Sequence, residues 1–263
     1  MRRWWWRFAL GIALFSLVIL PSVERHYLFR GRGAVASAPA RKDVVTRTFA
    51  AVDGAPVRAL ELPAPSADAK TVVLFHNNRE TAEQQLGIAE ELHARGLGVV
   101  VVEYRGYGGS AEAGAPTEEG LYLDAEAVLS SLARRGVGKE RVILFGISLG
   151  TGIAAEMARR GRGSALVLIA PYTSIPQLVR AAAPFVPAEW LLPDRFETAS
   201  KAAQITVPTL VVHGDADEVV PFWMGEKVAG SIAAARLLRV RGGHHGDLFA
   251  KAGPDLLTQA AAL

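Results

Sequence analysis

The chain has 263 residues, half of them hydrophobic and 21% charged, which excludes a disordered chain and leaves enough apolar surface for a full core. It contains no cysteine, so disulfide frameworks, thiolate metal sites, iron–sulfur centres and thiol nucleophiles are excluded. A net charge of +3 with dispersed arginines does not make the basic stripe of a nucleic-acid binder, and no nucleic-acid partner is expected.

The N-terminus carries Arg2, Arg3 and Arg7 around three tryptophans, Trp4 to Trp6, ahead of an unbroken apolar or small run over 8–20. That run has the length of a signal-peptide apolar region. Extended back to Trp4, with Arg7 snorkelling, it approaches the lower limit for a membrane span. The small-residue cleavage motifs, Ala34-Val35-Ala36 and Ala36-Ser37-Ala38, lie well beyond Leu20, behind Pro21, Arg25, Arg30 and Arg32. A signal peptidase site sits close to its apolar run, so the segment reads as an uncleaved membrane anchor, with secretion after cleavage as the alternative. A short basic tail kept inside places the body on the extracytoplasmic side. Residues 31–42 read as a linker, so anchor and linker together occupy 1–42 and the folded domain begins at 43.

From residue 44 onward strands and helices alternate, with no internal repeat. Segments 44–50 and 57–60 form an expected hairpin around the Asp53-Gly54 turn signal. Residues 71–75, Thr-Val-Val-Leu-Phe, are a continuous apolar strand of the kind buried on both faces. A helix over 81–95 stops at Gly96, and a strand follows over 99–104. Thr117, with Glu118 and Glu119 behind it, caps a helix over 117–135. Then come strand 141–145, helix 149–160, strands at 165–169, 209–212 and 236–240, and a last helix from 248. This order predicts an α/β protein with a mostly parallel central sheet and helices on both faces. Ligands in such folds bind at the carboxyl ends of the strands, so chemistry is expected after Phe75, Tyr104, Phe145, Ile169, Val212 and Val240.

After Phe145 stands Gly146-Ile147-Ser148-Leu149-Gly150, a G-x-S-x-G pattern between a predicted strand and a predicted helix. The turn is so tight that a Cβ at either glycine would clash, and it lifts the Ser148 hydroxyl to the top of the sheet. A serine hydroxyl needs a base to take its proton, and an acid to orient that base. Val212 leads into a loop holding Asp215 and Asp217, and Val240 into Gly242-Gly243-His244-His245. The chain order Ser, Asp, His is the one this turn calls for. Asp215 sits at the strand end, where a turn-stabilising role is the simpler reading. Asp217 lies farther out and can reach over the sheet, so it is the expected acid. His244 and His245 both remain open as the base on position alone, and His213 reads as a structural strand-end residue.

A developing oxyanion needs fixed donors. The expected pair is the backbone N–H of Leu149 and that of Asn78, in the loop His76-Asn77-Asn78-Arg79. His76 is expected to hold that loop in shape. The loop Tyr104-Arg105-Gly106-Tyr107-Gly108-Gly109-Ser110 has neither G-x-G-x-x-G nor G-K-[ST] spacing, so it reads as a support for the pocket wall. No metal site is expected, since no H-E-x-x-H or spaced histidine cluster exists, and no cofactor is implied.

Together these motifs resemble the α/β-hydrolase superfamily, and more narrowly its membrane-anchored group of abhydrolase-13 and Bem46-like proteins. The resemblance covers roughly residues 44–250. It matches the H-G-N loop to His76-Asn77-Asn78, the Y-R-G-Y-G-x-S loop to Tyr104 through Ser110, and the G-x-S-L-G turn to Gly146 through Gly150. It matches H-G-x-x-D-x-x-V-P to His213 through Pro221, which implies Asp217 as the acid. It matches G-H-N-D-L to His244 through Leu248, which implies His245 as the base. The main departure is Asn77 in place of glycine, whose Cβ narrows the approach to the oxyanion site.

Between strands 165–169 and 209–212 lies a long insert, expected as a small helical cap over about 171–207. It contains Leu178, Val179, Phe185, Val186, Trp190, Leu191 and Leu192. An apolar cap beside a membrane anchor favours acyl esters or lipid-like substrates. The expected activity is a carboxylesterase-like or lipase-like serine hydrolase working through an acyl-enzyme. Thioesterase and aminopeptidase-like activity are the alternatives within the class, and a non-catalytic binding protein is the alternative outside it.

Overall fold

The computed structural model describes residues 27–33 and 43–263. The apolar run over 8–20, both cleavage motifs and most of the expected linker lie outside the described residues. No helix among the described residues is long and apolar enough to cross a membrane.

Eight strands form one sheet: β1 (Val45–Ala50), β2 (Pro56–Leu62), β3 (Thr71–Phe75), β4 (Gly98–Val102), β5 (Val142–Ile147), β6 (Ala165–Ile169), β7 (Thr209–Gly214) and β8 (Ala235–Val240). Their order is β1-β2-β4-β3-β5-β6-β7-β8. Only β2 runs against the other strands: a short hairpin joins it to β1, a loop over 63–70 leads on to β3, and from β3 onward every connection is a helical crossover. The expected hairpin, the mostly parallel sheet and all eight strand positions are found, with ends displaced by a few residues.

The apolar strands are buried on both faces, and alternate residues feed two cores. Val73, Phe75, Val102, Leu144, Leu168 and Val211 face one core, with α2 (Glu118–Arg134) and α3 (Leu149–Arg159) over them. Val72, Leu74, Val101, Phe145, Ile169 and Val212 face the other, under α1 (Leu86–His93) and α8 (Leu248–Ala261). The helix expected over 81–95 is divided, with a 3-10 turn at Ala82–Gln85 preceding α1. Thr117 caps α2 as expected, accepting the Gly120 N–H at 3.0 Å.

The insert carries α4 (Ile175–Ala182), α5 (Ala188–Leu191) and α6 (Thr198–Ala202), and α7 (Phe222–Ser231) follows β7. It is pinned where it leaves and re-enters the body: Ile175 N–H donates to Arg195 O, and Glu118 accepts the N–H groups of Arg195 and Phe196. Phe196 and Ala202 are fully buried in the core, so the end of the insert belongs to the body and only α4 and α5 form a cap.

One boundary needs correction. Residues 27–33, the last of them expected as linker, pack onto the domain. Phe29 is fully buried beside Tyr104 and Tyr107, and Gly33 N–H donates to Gly106 O at 2.8 Å. Glycines at 31 and 33 among basic residues suggest a spacer from composition alone; here Gly31 permits a close approach to Tyr107 and Arg79, and Gly33 takes a left-handed φ of 76°.

Candidate active site

Ser148 links β5 to α3 with φ 51° and ψ −114°. A non-glycine residue held there costs on the order of 1–3 kcal/mol, so the surroundings must over-determine the turn. They do so through the two glycines. A Cβ on Gly146 would stand 2.5 Å from Gly150 O, and one on Gly150 would stand 2.0 Å from Phe75 O. Ser148 N–H donates to Ile169 O at 2.9 Å, and Ser148 O accepts from Thr151 N–H at 2.9 Å.

His245 Nε2 lies 3.0 Å from Ser148 Oγ, and His245 Nδ1 lies 2.8 Å from Asp217 Oδ2. Those two contacts assign the ring roles. Nδ1–H donates to the carboxylate, which leaves Nε2 to accept the hydroxyl proton. The Asp217 side chain is buried, and its other oxygen accepts the N–H groups of Val219 and Val220, each at 2.8 Å. His213 Nε2 is 3.4 Å from Asp217 Oδ2. Burial alone would raise the Asp217 carboxyl, but hydrogen bonds from His213, His245 and the Val220 N–H hold it well below the ordinary carboxylate range. His213 is buried against Val220 O and the Phe222 ring, a structural position as expected.

The alternates stand apart from Ser148. Asp215 binds Arg239 Nε at 2.9 Å and Gly242 N–H at 2.6 Å, tying the loops after β7 and β8 together. The His244 side chain is exposed and meets Glu218 at 3.1 Å.

On the other side of Ser148, the loop after β3 contains His76, Asn77 and Asn78. His76 is buried, stacks on Tyr104 with ring centroids 4.0 Å apart, and its carbonyl accepts the Tyr104 hydroxyl at 2.8 Å. Asn77 does not take the left-handed backbone conformation. Its Oδ1 accepts the N–H groups of Arg79 at 2.9 Å and Glu80 at 3.1 Å, so its side chain braces the loop. Asn78 and Leu149 both line the cavity that holds Ser148 and His245. No protein acceptor takes either N–H among the described residues, and Leu149 N–H stands in the first turn of α3, where backbone donors are free.

Sequence reasoning missed two parts of this side. Glu103 is fully buried beneath the loop, accepting Ala82 N–H at 3.1 Å and lying 3.6 Å from His76 Nε2. A lone acid directly after the all-apolar β4 was the available signal. The second is the segment 27–33, whose Tyr27, Leu28 and Arg30 line the cavity.

The cavity has a volume of about 770 Å³. Its lining includes apolar Ile147, Ile169, Tyr172, Ile175, Leu178 and Val179 and polar Asn77, Asn78, Arg79 and Glu80. The cap thus contributes its α4 residues, whereas Phe185 and Trp190 are 88% and 89% exposed and do not line the cavity. Among the described residues no cluster of three His, Asp or Glu side chains is arranged to hold a metal ion.

The family model described as "Serine aminopeptidase, S33" matches residues 66–199, and one described as "TAP-like protein" matches 179–253. An uncharacterized protein of Mycobacterium tuberculosis is 33% identical over 256 residues, covering 95% of this chain and 86% of that protein. Human alpha/beta hydrolase domain-containing protein 17B is 36% identical over 163 residues, covering 61% of this chain and 54% of that protein. Among solved structures, an esterase of Pyrococcus furiosus superimposes with a TM-score of 0.73 at 16% identity, covering 88% of this chain and 97% of that one. Est1E of Butyrivibrio proteoclasticus with ferulic acid bound gives 0.68 at 18% identity, covering 82% and 100%. At such identities the structural likeness speaks to the fold.

Proposed function

The chain belongs to the α/β-hydrolase superfamily, and from that membership we propose that it is a serine hydrolase acting on acyl esters. The observation that carries the reading is the Ser148–His245–Asp217 chain of contacts, 3.0 Å and 2.8 Å, opening into an apolar cavity. Ser148 Oγ attacks the acyl carbon as His245 Nε2 takes its proton. Asp217 orients the ring and stabilises the imidazolium that forms. The N–H groups of Asn78 and Leu149 meet the charge on the carbonyl oxygen. The imidazolium returns the proton to the leaving alcohol, and water activated by His245 then releases the acid from Ser148.

The apolar wall formed by Ile175, Leu178 and Val179 supports an acyl chain as the bound part of the substrate. An acyl thioester uses the same steps and the same wall. An aminopeptidase-like reading draws on the matched family description and on Glu80 and Glu218, which line the cavity and would face a substrate ammonium group. Residues 8–20 serve on this reading as the membrane anchor, with the body on the extracytoplasmic side; the flanking tryptophans and arginines support it.

A fluorophosphonate probe and a substrate panel test the reaction. Wild type is expected to be labelled, Ser148→Ala to stay unlabelled and to lose on the order of 10⁵–10⁶ in kcat. Folded wild type that resists the probe would mean a non-catalytic protein. Faster turnover of aminoacyl amides than of acyl esters would move the activity to the peptidase class.

A further inference from the structure

The loop that bears Asn78 is held from outside by a piece of chain remote in sequence. The Asn78 carbonyl accepts two hydrogen bonds, from Gly31 N–H at 2.8 Å and from the Tyr107 hydroxyl at 3.1 Å. Contact at Gly31 is close enough to exclude any side chain. A Cβ there would stand 2.5 Å from Tyr107 Cε1 and 2.9 Å from the Arg79 carbonyl. Neighbouring residues fix the segment on both sides. Phe29 is buried in the core, Arg32 forms a β-bridge with Tyr107, and Gly33 N–H donates to Gly106 O. Tyr107 in turn packs on His76 and Tyr104, with ring centroids 5.4 Å and 5.6 Å away.

With both lone pairs of its carbonyl occupied, the Asn78–Arg79 peptide is held in place, directly beside the peptide that carries the Asn78 N–H. That Asn78 N–H is left with no protein acceptor among the described residues. An oxyanion site needs a donor that is free of protein acceptors and set before charge develops, and anchoring the adjoining peptide serves that need. We infer that residues 27–33 form a strap that positions the oxyanion loop, with Gly31 and Tyr107 as positioning residues for the Asn78 N–H. The inference rests on the hydrolase reading above.

Full-length protein tests it, with Gly31→Ala to prise the strap away and Tyr107→Phe to delete one hydrogen bond while keeping the ring. Both are assayed with a short acyl p-nitrophenyl ester. Binding of a trifluoromethyl ketone, which forms an oxyanion on Ser148, is compared with binding of the matching carbinol, which forms none. Gly31→Ala is expected to lower kcat by about 10–100-fold and Tyr107→Phe by about 3–10-fold, with KM little changed. Ketone affinity should fall by a similar factor while carbinol affinity holds. Where Gly31→Ala fails to fold, Tyr107→Phe decides. Full kcat in the folded variants, or equal loss of ketone and carbinol binding, overturns the strap. Inert wild type overturns the hydrolase reading and the strap with it, whereas active wild type with unimpaired variants overturns the strap alone.

Discussion

On the acid–base side of Ser148, Asp217 and His245 are held mostly by bonds within their own two loops. Asp217 takes the N–H groups of Val219 and Val220, Asp215 ties Gly242 and Arg239 to the strand end, and Asp247 takes the His244 N–H. On the oxyanion side, Asn78 is held by Gly31 and Tyr107, and His76 by Tyr104 above the buried Glu103. One side is held within and between the two loops that carry its own residues, and the other leans on segments outside the loop that carries Asn78. Damage to the first should therefore be confined to the residue changed, while damage to the second should be shared among its supports.

The histidine pair gives the largest expected contrast. His245→Ala should lower kcat/KM on an acyl p-nitrophenyl ester by at least about 10⁴-fold, because it removes the base. His244→Ala should stay within about threefold, since the His244 side chain is exposed and meets Glu218 at the surface. Comparable losses in both would break the claim that this side is local.

The two aspartates divide in the same way. Asp217→Asn should lower kcat by about 10³–10⁴-fold by releasing the His245 tautomer. Asp215→Asn should leave kcat nearly intact and lower Tm by a few degrees, through the bonds to Gly242 and Arg239. Stability against pH sharpens the test. The Asp217 carboxyl is depressed in the folded protein, so it stabilises the fold at any pH above the unfolded group's value near 4. That contribution fades as pH falls from there toward the folded value. The gap in urea midpoint between wild type and Asp217→Asn should be widest near neutrality and narrow below about pH 4. A gap independent of pH would assign the effect to packing.

The same division explains what the sequence made legible. The G-x-S-x-G turn reads directly because its steric need is met between residues four apart and the strand beside them. The loops after β7 and β8 read as acid and base loops because their polar residues stand at strand ends. Position alone left His244 and His245 open; the 3.0 Å contact with Ser148 separates them. The strap could not be read at all. Its main bond runs from the Gly31 backbone to the Asn78 backbone, and backbone pairing across such a distance has no side-chain signature. In the cap, composition showed which residues were apolar but not which faced inward. Leu178 and Val179 line the cavity while Phe185 and Trp190 face solvent, because α4 ends at Ala182 and its stripe goes no farther.

Asn77 is the place where the two modes of support meet, and its expected effect is modest. The H-G-N pattern that this loop resembles has glycine there, and the expectation from sequence is that a Cβ narrows the approach to the oxyanion site. The side chain instead supplies the oxyanion loop with its own local brace, accepting from Arg79 and Glu80 N–H. Asn77→Gly removes both bonds and adds backbone freedom, so Tm should fall by a few degrees. The strap still holds the Asn78 carbonyl, which limits the expected loss of kcat to about 3–10-fold. The informative measurement is the double-mutant cycle with Tyr107→Phe. If brace and strap hold the same peptide, removing both should cost more than the product of the separate losses, because each support masks the absence of the other. Losses that simply multiply would mean that Asn77 and the strap act on the loop independently, and would leave Asn77 a purely local stabiliser of the kind found on the acid–base side.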